Sequence, residues 1–398
     1  MLTLDKVYHA AYVLKEVARE TDLIYAPNLD TDAQLYLKTE NLQVTGSFKL
    51  RGAYYKISQL SEEEKKAGII ACSAGNHAQG VALAATHQNV RSIVCMPDCA
   101  PISKIEATKR LGAEVVLAKG AYDDAYALAV KMQAESGATF IHPFDDDEVI
   151  AGQATIGLEI LEQMRDIDAI IVPVGGGGLI AGVAYAVKQL QPNIKVYGVQ
   201  ASNAASMFES YRQGKQIELQ TVNTFADGIA VKHPGDITFQ MVNRYVDGIA
   251  TVSEDEIAAA ILAMIEKQKL ISEGAGAVAV AAAMFNKFPI AGKKVVCLVS
   301  GGNIDVNILS RVITRGLVTS GRNVNLVIAL EDRPGQLVEV SEIIARYGAN
   351  VVSVRHERSD PNMAISSCFL RIGMETRDFE QIQQIRNALT EAGFNIVL

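Results

Sequence analysis

Four glycine-bearing turns hold the residues of this sequence that are best suited to chemistry. In the first, TGSFKLRGAYYKISQL, the residues Leu50, Ala53, Tyr54, Ile57 and Leu60 follow a helical period, which puts Lys49 in the first turn of a helix starting near Ser47. The positive end of a helix dipole disfavours a cation there. A solvated lysine tolerates that conflict at small cost, and a lysine held in an imine beside a bound phosphate does not meet it. Placement alone does not choose between the two. The second turn, ACSAGNHAQG at residues 71–80, runs from strand through glycine into helix. Backbone N–H groups of Ser73, Ala74, Gly75, Asn76 and His77 would converge at the helix start and could hold a carboxylate. Asn76 adds both a donor and an acceptor. Plain N-capping by serine or asparagine is the ordinary alternative, although it leaves the Gly-Asn-His run unexplained.

The third turn is the strongest single feature. In IIVPVGGGGLIAGVAYAVKQL, the glycines Gly175, Gly176, Gly177 and Gly178 join an apolar strand to a helix opening at Leu179, the form of a phosphate cradle. A Walker loop would end in Gly-Lys-Ser/Thr, and here Leu179 and Ile180 come next. Gly176, Gly178 and Ala181 meet the spacing of a dinucleotide fold, but that reading needs an acidic residue at the end of the next strand, where Gln200 stands. Close packing alone also accounts for a glycine run. The fourth turn, VVCLVSGGNID, ends a strand at Ser300 ahead of Gly301 and Gly302. Together the four supply an amine, a carboxylate seat, a phosphate seat and a lone hydroxyl, a combination that suits pyridoxal 5'-phosphate.

Short Val/Ile-rich strands alternating with helical stretches position these turns. Strands are expected at Gly68 to Cys72, Ser92 to Met96, Glu114 to Leu117, Ala169 to Val174, Lys195 to Val199 and Lys294 to Val299. Helices are expected at Gln79 to His87, Ile102 to Leu111, Tyr122 to Glu135 and Leu179 to Gln189. Such βαβ units build mostly parallel α/β sheets whose chemistry lies beyond the carboxyl ends of the strands. The pattern changes near residue 315. ITRGLVTSGRN reads as a linker, and the rest of the chain reads as strand (Asn325 to Leu330), helix (Leu337 to Tyr347), two strands (near Val351 to His356 and Ala364 to Ile372), helix (Asp378 to Ala392) and strand (Phe394 to Leu398). That βαββαβ order is a ferredoxin-like unit.

The chain has 398 residues and a formal charge of −8, which suggests two or three domains and argues against a nucleic-acid binder that works by neutralising phosphates. No apolar run approaches the roughly 20 residues of a membrane span, and the amphipathic N-terminus is not patterned as a signal peptide. Five dispersed cysteines fit a reducing cytoplasm. Cys95 and Cys99 have no second Cys/His pair at zinc spacing, and His9, His87, His142, His233 and His356 show no ligand spacing. The acidic run Asp145 to Glu148 reads as a solvated turn.

Residues 1 to about 320 resemble fold-type II pyridoxal-phosphate enzymes, most closely the threonine ammonia-lyases, through GSFKLRGA, ACSAGNHAQG, IAGQATIGLEI, PVGGGGLIAG, TFADGIAV, SEGAGA and SGGNID in that order. The tail, with its turn Asp332 to Leu337, resembles an ACT domain. The resemblance implies two open twisted α/β sheets in a catalytic domain at 1–318, with a smaller lobe at roughly 40–140 inserted in the larger one, and an ACT regulatory domain at 323–398. It makes Lys49 the Schiff-base lysine and catalytic base, and packs Phe48 against the cofactor ring. Asn76 is implied at the ring hydroxyl, Gly175 to Gly178 with Leu179 at the phosphate, and Ser300 at the ring nitrogen. Ser73, Ala74, Gly75, Asn76 and His77 are implied at the substrate carboxylate, and Glu273 near the ring or as a helix cap.

The implied reaction is deamination of L-threonine to 2-oxobutanoate, and of L-serine to pyruvate, under control of an amino-acid effector at the ACT domain. Isoleucine or valine is the expected effector, with a nucleotide as the degradative alternative. A cytoplasmic homodimer or homotetramer is expected. Two departures narrow the reading. Eukaryotic serine racemases carry a second serine where this chain has Ala74, which argues against racemisation as the main activity. Their metal-binding carboxylates correspond here to Gln200, Ala204 and Ser206, so no metal is expected. The contrasting reading is a regulatory protein whose cofactor fold has lost activity.

Overall fold

The computed structural model describes residues 2–358 and 366–397. Its strands are, in chain order, β1 Leu23–Tyr25, β2 Gln34–Lys38, β3 Ile69–Cys72, β4 Ser92–Pro97, β5 Glu114–Ala118, β6 Thr139–Phe140, β7 Ala169–Pro173, β8 Lys195–Ala201, β9 Gly248–Val252, β10 Lys294–Leu298, β11 Asn323–Glu331, β12 Asn350–Glu357, β13 Ser367–Glu375 and β14 Asn395–Ile396. The chain divides into two compact units, Met1–Asp305 and Val306–Leu398.

The first unit holds two α/β sheets. One has the order β1-β2-β10-β7-β8-β9 and is parallel except for the β1/β2 pair. The other, β5-β4-β3-β6, is wholly parallel, and its strands fall between β2 and β7 in sequence. Parallel strands covered on both faces read as near-continuous apolar runs, and β7 and β4, the latter with Ser92 at its start, are buried at every residue. Ile170, Val172, Val183, Val196, Val296 and Leu298 form the centre of the larger lobe's core. Three of the four glycine turns start at the carboxyl ends of parallel strands: Ser73 after β3, Gly175 after β7 and Ser300 after β10. The remaining turn comes after β2, through two short helical turns, Glu40–Leu42 and Val44–Gly46.

The helix Lys49–Ser58, which Lys49 opens, is wedged between two others. A side chain on Gly80 would come within 3.0 Å of the Leu50 nitrogen, and one on Gly152 within 2.6 Å of the Arg51 carbonyl. Glycine therefore sets how closely the helices Asn76–His87 and Asp147–Gln163 approach it. A buried ion cluster clamps its first turn. Arg51 Nη2 lies 2.8 Å from Glu40 Oε1 and its Nη1 2.5 Å from Glu159 Oε1, while Lys38 Nζ reaches Glu159 Oε2 at 2.6 Å. Burial opposes both charges of the Arg51–Glu40 pair, yet the mutual attraction holds Glu40 below the ordinary carboxylate value and Arg51 above its own.

The second unit opens with a helix, Val306–Thr319, where ITRGLVTSGRN reads from sequence as a linker. The reason is a stripe at helical spacing, Leu309, Val312, Ile313, Gly316 and Leu317, of which Val312 and Gly316 are buried. The expected βαββαβ order comes next, in one antiparallel sheet of order β12-β13-β11-β14. Its core is built by Leu326, Ile328, Val340, Ile344, Leu370, Ile372, Ile385 and Leu389. The last strand is only two residues long, and Ala364 and Leu398, which bound expected strands, lie outside the described residues. No helix among the described residues is long and apolar enough to cross a membrane.

Candidate active site

Lys49 turns its amine onto a main-chain oxygen: Nζ donates to Pro143 O at 2.7 Å and lies 5.3 Å from the centre of the Phe48 ring. Burial lowers its pKa to about 8, with the nearby Glu273 pulling the other way. An amine with a neutral partner and a lowered pKa is a ready nucleophile and base. Phe48 N–H donates to Ser300 O at 3.2 Å, and Ser47 pairs with Gly301, so the first and fourth turns are stitched together.

Asn76 begins its helix beside them. Its Nδ2 donates to Glu273 Oε1 at 2.6 Å, and its Oδ1 accepts from Asn303 Nδ2 at 2.8 Å. Asn303 also donates to the carbonyl of Thr45, a β-branched residue held at a φ of 72° in the strained left-handed region. Glu273 stands at the N-cap of the helix Gly274–Met284, but its side chain makes no capping bond. Burial raises its pKa to about 7, and Asp227 adds to the effect. A side chain on Gly301 would run into Glu273 Oε1. Opposite, Lys104 pairs with Asp227.

In the second turn, Ser73 Oγ accepts from Gly75 N–H at 3.2 Å, and Ala74 packs against the small-lobe core. The His77 ring is committed elsewhere. Its Nε2 lies 2.9 Å from Ile141 O, which can only accept, so Nε2 carries the proton. Burial, aided by Lys49, lowers the His77 pKa to about 3 and keeps the ring neutral.

The glycine loop opens the helix Gly178–Leu190 with Gly177 at a φ of 101° and no side-chain cap, which leaves the first N–H groups free for an anion. Its glycines are also tightly packed. A side chain on Gly176 would strike the Phe144 ring, and one on Gly178 would come within 2.7 Å of Phe144 O. The two sequence readings of this run, anion seat and close packing, are compatible. Leu179 buries its side chain in the core and presents only main-chain N–H to the loop.

Several residues here carry no motif that sequence reasoning could find. Pro143 contributes a carbonyl, which has no sequence signature. Phe144 covers the glycine loop from a stretch notable only for charge. Asn303 stands inside the SGGNID block, where a polar residue after two glycines is the one available hint. The acidic run is not a solvated turn. Asp145 accepts from the N–H groups of Asp236, Ile237 and Thr238 at 3.0 Å each, and Asp146 accepts from Glu148 and Val149, so two carboxylates cap two helices. At the positions considered for a metal, Gln200 Oε1 accepts from Phe208 N–H at 2.7 Å and Ser206 Oγ donates to Val231 O at 2.7 Å.

Comparison with known proteins accords with this geometry. Residues 14–301 match the pyridoxal-phosphate dependent enzymes, and residues 324–391 the ACT domain. An L-threonine ammonia-lyase of Thermotoga maritima is 50% identical over 398 residues, covering 100% of this chain and 99% of the relative. Among solved structures, the processed form of threonine deaminase isoform 2 from Solanum lycopersicum is 42% identical with a TM-score of 0.75, over 78% of this chain and 87% of that one. Maize serine racemase is 33% identical with a TM-score of 0.75, over 80% of this chain and 98% of that one.

The residues fit the cofactor of that family. A buried amine hydrogen-bonded to a main-chain carbonyl suits its aldehyde, and an uncapped glycine-led helix start suits its phosphate. The chain belongs to the pyridoxal-phosphate-dependent enzymes, among their threonine ammonia-lyases, and carries an ACT domain.

Proposed function

We propose that this chain converts L-threonine to 2-oxobutanoate and ammonia by β-elimination of water, and L-serine to pyruvate by the same route. The observation that carries the reading is the Lys49 amine, whose side-chain hydrogen bond among the described residues goes to the neutral carbonyl of Pro143 and whose pKa is lowered to about 8 by burial. Bound pyridoxal phosphate supplies the electron sink that makes the α-proton of the substrate removable.

The chain's own residues then divide the work. Lys49 would hold the cofactor and would be the base for the α-proton, and burial, which lowers its pKa to about 8, favours the neutral amine that this role needs. Gly175, Gly176, Gly177, Gly178 and Leu179 hold the phosphate through main-chain N–H groups, and Phe48 flanks the ring. Asn76, fixed by Glu273 and Asn303, serves the ring hydroxyl. Ser300 would hold the ring nitrogen, where a hydroxyl does not enforce protonation as an aspartate would, so the electron sink supplied there would be weak, which favours elimination. Main-chain N–H groups from Ser73 to His77 bind the substrate carboxylate. Ala74 has no hydroxyl to return a proton to the opposite face, which favours elimination over racemisation. The freed enamine hydrolyses in solvent.

The ACT domain is the seat of regulation in this reading, with isoleucine or valine as effector, and the enzyme works as a cytoplasmic homodimer or homotetramer. Its cysteines, few, odd in number and dispersed, support a reducing compartment. The test is keto-acid formation from threonine and serine, combined with borohydride fixation and peptide mapping. Label on Lys49 with keto-acid release is the expected result, whereas label on another amine, or a colourless and inactive protein in the presence of cofactor, overturns it. Rates measured with isoleucine, valine or a nucleotide, before and after deletion of residues 323–398, test regulation. A response unchanged by the deletion removes the ACT domain from the account.

A further inference from the structure

We propose that Asp332, His356 and Cys368 form a binding site for a thiophilic divalent cation of the zinc type. The three are too far apart in sequence to show ligand spacing, and His356 taken by sequence alone has none. Strand pairing brings them together. Cys368 faces Leu330 across the β11/β13 ladder, and Asp332 comes directly after the end of β11, two residues beyond Leu330. His356 faces Leu370 across the β12/β13 ladder, and Leu370 lies two residues from Cys368, on the same face of β13. Two neighbouring strands and the residue just past the end of a third therefore bring a carboxylate, an imidazole and a thiol together. Their ligand atoms all lie within 4.8 Å of one another, and His356 Nε2 is 2.8 Å from Cys368 Sγ.

The chemistry of the donors selects the ion. A sulfur, a nitrogen and an oxygen suit zinc or cobalt, whereas calcium and magnesium prefer oxygen alone. Ligand atoms around a tetrahedral zinc stand about 3.5 Å apart, given metal–ligand lengths of about 2.0–2.3 Å, so the cluster needs only small side-chain adjustments. The three side chains line a cavity of about 430 Å³ whose wall also includes Leu330, Gly335 and Arg358, which leaves a fourth position for water or a small ligand. Cys368 sits at the floor, 1% exposed, while Asp332 and His356 stand at the mouth. On binding, the thiol proton passes to solvent and the thiolate becomes the ligand. Without a metal, the positive partner of Asp332 is Arg358, at 3.0 Å from its Oδ1. That guanidinium competes with the ion for the carboxylate. Among the described residues this is the one such group of three ligand-bearing side chains.

Cobalt(II) titrated into the full-length holoenzyme tests the site, because tetrahedral thiolate-bound cobalt absorbs to the red of the cofactor and the readout needs no catalysis. The expected result is that absorption saturating at one cobalt per chain, bleached by zinc and absent in Cys368→Ser. His356→Ala, at an exposed position that leaves the core intact, should weaken binding at least ~10-fold. Arg358→Ala should tighten it about two- to fivefold, the equivalent of losing one exposed ion pair. No such absorption in the wild type, or an undiminished band in either Cys368→Ser or His356→Ala, would overturn the proposal, since the metal would then be absent or held elsewhere, for instance at the exposed Cys99.

Discussion

Asn76 donates its Nδ2 hydrogen to Glu273 Oε1 at 2.6 Å, which ties the turn after β3 to a glutamate nearly 200 residues further along the chain. The bond takes Glu273 away from the helix it begins and leaves its carboxylate buried, with a pKa raised to about 7. In the unfolded chain the same group titrates near 4.5. The protonated form is therefore the one the fold favours, and its contribution is complete below pH 4.5 and lost as pH rises to about 7. Glu273→Gln should remove that loss. Thermal midpoints of the two proteins between pH 4.5 and 8 should diverge as pH rises, by the equivalent of roughly 3 kcal/mol at the top of the window. Parallel curves would contradict the assignment.

The lowered pKa of Lys49 makes its own demand. An amine free at about pH 8 combines with an aldehyde over a range where an ordinary lysine, near 10.5, is still protonated. The rate at which the cofactor-free protein takes up pyridoxal phosphate should climb with a midpoint near pH 8, monitored by absorbance of the lysine-bound cofactor. Lys49→Ala should show no such band and should lose at least ~10²-fold in keto-acid production, with unchanged circular dichroism.

The clamp around Arg51 predicts a stability effect. Arg51 and Glu40 are 1% and 0% exposed, so Arg51→Ala strands a buried carboxylate. The expected cost is about 3–5 kcal/mol in denaturant unfolding, together with faster loss of cofactor, because the same turn carries Lys49. A cost near that of an exposed ion pair would mean that water replaces the guanidinium.

Phe144 and the glycine loop can be tested as a pair. A methyl group at Gly176 meets the Phe144 ring, so Gly176→Ala should weaken cofactor retention by the equivalent of about 1–3 kcal/mol. Phe144→Ala in the same chain should restore part of it. Equilibrium dialysis of the two single variants and the double variant gives the coupling, and strict additivity would rule out the collision as the cause.

What the sequence determined by itself is what short-range physics encodes. A glycine run between an apolar strand and a helix marks Gly175 to Gly178, a helical period marks Lys49 at a helix start, and alternating strands and helices mark the parallel sheets and the βαββαβ tail. Each is legible within about twenty residues, because local sterics and hydrogen-bond needs decide it. Tertiary structure decided the rest. Asp145 became a helix cap because the helix Asp236–Tyr245, distant in sequence, needed one. The segment after Val306 became a helix because its glycines fall on or beyond the apolar stripe, where the local pattern shows only interruptions. Pro143, Phe144, the Asn76–Glu273 bond and the group of Asp332, His356 and Cys368 arise from contacts across strands and lobes, and only the packed chain brings those partners within reach.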